Sequence, residues 1–115
     1  MVKIIAHRIN KIDQLKSVSN YFGIEADVRD YNNKIVLSHD PFKSGEEFKL
    51  FIKRTDKTIF LNIKSSGLIE KILPLIKKKK IFFLDLSFPE IYYLISRNLS
   101  HKIILRSSIL EKLHL

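Results

Sequence analysis

Short apolar runs recur along the whole chain, and each gives way to polar or charged groups at its end. Residues 3–6, Lys-Ile-Ile-Ala, lead directly into His7 and Arg8. Residues 24–29 alternate strictly, so Glu25 and Asp27 share one face of an extended segment while Ile24, Ala26 and Val28 share the other. Residues 58–64 carry Asn62 and Lys64 at their end, residues 81–86 carry Asp85, and residues 102–106 end in Arg106. Apolar strands with functional groups at their carboxyl ends are the way a (β/α) barrel of TIM type builds its site.

The segments between these runs have the three- and four-residue periodicity of amphipathic helices. Ile12, Leu15, Val18 and Phe22 form such a stripe, with Asn10 or Asp13 as cap and Gly23 as the stop. Ser44 precedes Glu46 and Glu47, which predicts a helix over residues 45–54 opened by a capping box, with Phe48, Phe51 and Ile52 as its buried face. Leu68, Ile69, Ile72, Leu73 and Ile76 define a third helix that Pro74 should break. Ser87-Phe88-Pro89-Glu90 opens a fourth, running to about Asn98, and residues 107–115 supply a last turn or a frayed end. Asp30-Tyr31-Asn32-Asn33 reads as a turn joining 24–29 to an extra strand over 34–38. Strands alternating with helices predict an α/β fold with a parallel sheet and crossover helices. The expected architecture is one domain over residues 1–115, a partial TIM-type barrel of about five parallel strands. A full barrel takes eight strands and roughly 250 residues. The shortfall suggests the N-terminal portion of a longer barrel, with association of copies through open strand edges or a smaller open α/β sheet as the alternatives.

The polar residues at the strand ends suit one kind of chemistry. Hydrolysis of a phosphodiester requires neutralisation of its charge, activation of an oxygen nucleophile and protonation of the leaving group. His7 and His39 are candidates for the two proton transfers, since an imidazole gains or loses a proton near neutrality. Arg8 and Lys64 are candidates for holding phosphate oxygens. Glu25 and Asp27 offer two oxygen ligands to a divalent cation such as Mg²⁺ or Ca²⁺. Asp40, Asn62 and Asp85 are supporting candidates, Asp40 as an orienting residue before Pro41.

Ala6-His7-Arg8, then Gly23-Ile24-Glu25-Ala26-Asp27-Val28, then Leu37-Ser38-His39-Asp40-Pro41, resembles the glycerophosphodiester phosphodiesterase family of the phosphatidylinositol phosphodiesterase-like barrels. The likeness covers the first forty residues closely and the next sixty-five more loosely. It implies a small glycerophosphodiester substrate, His7 and His39 as the acid–base pair, Arg8 on the phosphate, and Glu25 and Asp27 as metal ligands. Two positions depart from the family pattern. Ile9 stands where glycine usually follows His-Arg, and residues 61–64, Leu-Asn-Ile-Lys, lack the third acidic metal ligand. The absent carboxylate leaves Asn62 as the remaining oxygen donor and puts the metal in question.

The net charge of +9 favours anionic partners. Its most concentrated part, residues 77–80, is expected to end a helix, where lysines interact favourably with the carbonyl end of the dipole. No aromatic residues interleave with this run, which argues against single-stranded nucleic acid as its partner. The chain has no cysteine and therefore no disulfide or thiolate site. No apolar run approaches the ~20 residues of a membrane helix, and the N-terminus has no leader-like apolar core, so a cytoplasmic location is expected. Two other readings fit the residues: a truncated or inactive domain that binds phosphorylated ligands, and a basic nucleic-acid-binding protein that leaves the histidines and carboxylates without a role.

Overall fold

The computed structural model describes residues 5–105. Lys3 and Ile4 of the first expected strand, Arg106 at the end of the last, and the expected final turn over 107–115 lie outside the described residues.

The polypeptide forms a mixed α/β structure around an open, mostly parallel sheet. Its strands are β1 (Ile5–Ala6), β2 (Gly23–Tyr31), β3 (Lys34–Leu37), β4 (Glu46–Glu47), β5 (Ile59–Ile63), β6 (Ile81–Leu84) and β7 (Ile103–Ile104). They are ordered β4-β3-β2-β5-β6-β7, with β1 also paired to β2. The pairs β1–β2, β2–β5, β5–β6 and β6–β7 are parallel. The pairs β2–β3 and β3–β4 are antiparallel, so β3 is the strand that runs against the rest. The five parallel strands thus stand side by side in chain order, and the described sheet does not close on itself.

Two faces of this sheet have different fates. Ile24, Ala26 and Val28 of β2, Ile59, Leu61 and Ile63 of β5, and Ile81 and Phe83 of β6 all enter one buried cluster. The helices α2 (Phe48–Ile52), α3 (Ile69–Ile72) and α4 (Phe88–Ser96) close it with Phe48, Phe51, Ile52, Ile69, Ile72 and Leu94. Burying a side chain of this size contributes about 1.5–3 kcal/mol, so this layer supplies most of the driving force. The opposite face is set by the same register. Glu25 aligns with Phe60 and Phe82, and Asp27 with Asn62 and Leu84. Phe60 and Phe82 stack at 5.7 Å and remain outside the buried cluster.

Several local expectations need correction. The first helix, α1, spans only Ile12–Leu15 and not residues up to Phe22. Its continuation fails because Lys57 Nζ donates to the carbonyls of Ser19 (2.6 Å) and Phe22 (3.3 Å), and Gly23 is already the first residue of β2. Neither Asn10 nor Asp13 caps it; Lys11 occupies that position. The expected helix over 45–54 begins only at Phe48, because Glu46 and Glu47 pair with Leu37 and Val36. The Glu46 carboxylate accepts the Ile12 amide of α1 instead of capping its own helix. The third helix gives way at Leu73–Leu75 to a 3₁₀ turn around Pro74, as a residue without an amide hydrogen requires.

The lysines at 77–80 therefore follow a turn, not the end of a long helix, and Lys79 bonds the Thr55 carbonyl at 3.1 Å. Strand β6 stops at Leu84 because Asp85 takes a left-handed backbone, φ 55°. The start of α4 matches expectation, whereas the expected turn over residues 30–33 narrows to Asn32 and Asn33 because Asp30 and Tyr31 pair with β3. Asn32 and Asn33 both have positive φ, as a two-residue hairpin demands. Ser87 and Glu90 form a reciprocal capping box.

Candidate functional site

The carboxyl ends of the parallel strands open onto a cleft of about 370 Å³ lined by His7, Arg8, Glu25, Asp27, His39, Asn62, Lys64 and Asp85. β1 delivers His7 and Arg8, β2 delivers Glu25 and Asp27, β5 delivers Asn62 and Lys64, β6 delivers Asp85, and the loop after β3 delivers His39. Of the residues singled out in the sequence, Asp40 alone stands outside the lining, directly behind His39.

Each histidine faces a carboxylate through the same ring nitrogen. His7 Nδ1 lies 3.1 Å from Glu25 Oε1, and His39 Nδ1 lies 3.3 Å from Asp40 Oδ1. A proton on Nδ1 donated to the carboxylate leaves Nε2 as the working nitrogen. His7 is largely exposed whereas Glu25 is buried, so the carboxylate is the fixed member of that pair. The His39 hydrogen bond, followed by that of Lys43, holds the Asp40 carboxyl below the usual carboxylate range. Arg29 fixes the His39 backbone, with Nη2 and Nε donating to its carbonyl at 2.9 and 3.3 Å.

Asp27 is the most buried group of the site, 1% exposed, and it is held from three directions. Asn10 donates from Nδ2 to Asp27 Oδ2 at 3.0 Å and accepts the Asp27 amide at 2.8 Å. Lys64 Nζ stands 3.8 Å from Asp27 Oδ1. The Asp27 carbonyl accepts the Ser38 amide at 3.0 Å, which ties β2 to the loop carrying His39. Asn62 Nδ2 donates to Asp85 Oδ2 at 3.0 Å, so Asp85 orients Asn62. Two lining residues, Arg8 (φ 53°) and Asp85 (φ 55°), have left-handed backbones at the strand ends. Such conformations cost of order 1–3 kcal/mol and gather at functional sites. Ile9 turns into the hydrophobic core while its amide bonds the Glu25 carbonyl. Arg8 takes the unusual backbone conformation beside it.

A divalent cation fits this donor set in part. Glu25, Asp27 and the amide oxygen of Asn62 are the atoms that would hold it. Yet Glu25 faces His7, and Asn10 and Lys64 stand against Asp27. Among the described residues no three histidine, cysteine or acidic side chains form a ligand group. A cationic place beside Asp27 is already taken by the Lys64 ammonium.

Asn10 and Arg29 are the positioning residues that the sequence did not reveal. Asn10 stands three residues beyond His7, a spacing that a helix cap explains equally well. A larger cleft of about 630 Å³ lies at the amino ends of β6 and β7. It contains no histidine and one carboxylate. Compared with protein-family models, curated proteins and solved structures, the chain matches none.

Proposed function

We propose that the chain acts as a phosphodiester hydrolase of glycerophosphodiester phosphodiesterase type, with its open sheet forming part of a (β/α) barrel. The observation that carries this reading is the meeting of two carboxylate-backed histidines with Arg8 and Lys64 in one cleft at the strand ends. The barrel is supported by parallel strands in chain order and by an acidic pair on the face turned away from the helices.

In this reading the phosphate sits between Arg8 and Lys64, whose charges offset its own. One histidine, neutral at Nε2, takes a proton from the attacking water as the new P–O bond forms. The other, protonated, gives its proton to the departing alkoxide as the old P–O bond breaks. The products are a phosphomonoester and an alcohol, and the two imidazoles exchange protonation states before the next cycle. Glu25 and Asp40 hold the rings through Nδ1. A bound divalent cation would add further neutralisation of the phosphate charge. Lys64 beside Asp27 favours a second reading, in which the cleft binds phosphorylated ligands without turning them over.

Hydrolysis of a glycerophosphodiester by the purified chain, with Mg²⁺, with Ca²⁺ and with chelator, tests the proposal. Turnover is expected in the wild type, with a loss of about 10²–10⁴-fold in His39→Ala, the range of acid–base catalysis. Binding of glycerophosphate with no turnover in any arm selects the ligand-binding reading. Turnover that survives His39→Ala overturns the assignment of that residue.

A further inference from the structure

We infer that the cleft at the amino ends of β6 and β7 is a second anion site, built for a ligand with two or more adjacent phosphate groups. Lys77, Lys78, Arg97 and Lys102 line it against a single carboxylate, Glu70. The cleft, about 630 Å³, is larger than the strand-end cleft of about 370 Å³. The two lie at opposite ends of β6, whose four residues span about 13 Å at ~3.3 Å per residue. One ligand of modest size therefore occupies one or the other. This inference does not rest on the hydrolase reading.

Of the four cations, Lys77 and Lys78 are the ones not spent elsewhere, while Lys102 Nζ also lies 5.7 Å over the Phe82 ring. Lys79 is committed to the Thr55 carbonyl and to Asp56 at 3.3 Å. Lys77 and Lys78 make no hydrogen bond or ion pair with another described residue. Their backbone is nevertheless fixed. The Lys79 amide bonds the Ile76 carbonyl at 3.0 Å, and Lys78 takes a left-handed conformation, φ 68°. A turn held at that cost to aim two ammonium groups into a cleft is unexplained by helix capping, because the 3₁₀ turn ends at Leu75. Lys102 Nζ reaches the Lys79 carbonyl at 3.5 Å, which places it beside the same turn. Arg97 is pre-positioned by lying 4.9 Å over the Tyr93 ring.

Four cations exceed what one phosphate dianion needs, and the cleft volume accommodates a chain of phosphates. Clustered cations in a concave surface focus the field on such a ligand. Tyr93, the one aromatic ring in the lining, already has Arg97 over it. That leaves little stacking platform for a base, so the ligand class is polyphosphate and not single-stranded nucleic acid.

Calorimetric titration of the full chain with tripolyphosphate, pyrophosphate and inorganic phosphate at low salt tests the inference. Tripolyphosphate should bind at least tenfold more tightly than phosphate. Lys77→Ala/Lys78→Ala should weaken it at least tenfold, and Arg97→Ala should weaken it as well. Lys49→Ala/Lys53→Ala removes the same charge from exposed positions on and just beyond α2 and should leave binding unchanged. Loss of binding in Arg8→Ala with Lys77→Ala/Lys78→Ala intact would move the anion to the strand-end cleft and overturn the inference. Equal losses in both lysine pairs would reduce the effect to diffuse charge and overturn it too. Preference for a single-stranded oligonucleotide over tripolyphosphate would contradict the ligand class.

Discussion

Asp27 shows how much of the site is decided by residues outside the chemistry. A carboxylate this buried is tolerable only when its oxygens have partners, and Asn10 supplies one of them while also accepting the Asp27 amide. Asn10→Ala strands both groups, and a loss of about 1–3 kcal/mol is expected for leaving buried polar atoms unpaired. A urea unfolding curve should show a lower midpoint with an unchanged slope. A midpoint equal to that of the wild type would mean that Asp27 is satisfied without Asn10. The Glu25–Asp27 pair was readable from sequence because alternation of period two puts both on one strand face whatever the rest of the chain does. The clamps of Asn10 on Asp27 and of Arg29 on the His39 carbonyl were not. Each joins positions ten or more apart through contacts that no local pattern encodes.

The elements divide by the same logic. β2, β5 and β6 were found with their cores correct, since Ile59, Leu61 and Ile63 share one face of the strand at period two. The helix expected over 45–54 lost its first turn to β4 because a long-range strand pair outweighs a local capping signal. Gly45 explains how that pairing is reached. A Cβ at this position would meet the Leu37 carbonyl oxygen at 2.0 Å and its carbon at 2.9 Å, both backbone atoms that cannot step aside. Gly45→Ala is expected to cost roughly 1–3 kcal/mol by forcing β4 from β3. Thermal unfolding should record a midpoint lower by several degrees, since 1 kcal/mol shifts a domain of this size by about 4–8 °C. An unshifted midpoint would contradict the close approach of these strands. The loop between β3 and β4 carries His39, so the same variant should weaken ligand binding in the strand-end cleft.

At the scale of the molecule, one sheet separates three jobs. The helix-covered face supplies stability, the carboxyl ends gather histidines and cations, and the amino ends of β6 and β7 present the lysine cleft. The parallel order of the strands followed from alternating apolar runs and amphipathic segments, and the site followed from polar residues at strand ends. Closure of the sheet was not derivable in that way, because it depends on strand number and stagger, not on any one strand. The proposed function requires that His7 and His39, thirty-two positions apart in sequence, serve one phosphate. Nitrogen-detected NMR of the two imidazoles during titration with a glycerophosphodiester probes that requirement directly. Each ring signal is assigned by its own His→Ala variant. Both Nε2 resonances are expected to shift together, along one binding curve with one Kd, and Arg8→Ala should weaken both equally. Response of only one imidazole, or two curves with different midpoints, would contradict a shared phosphate centre.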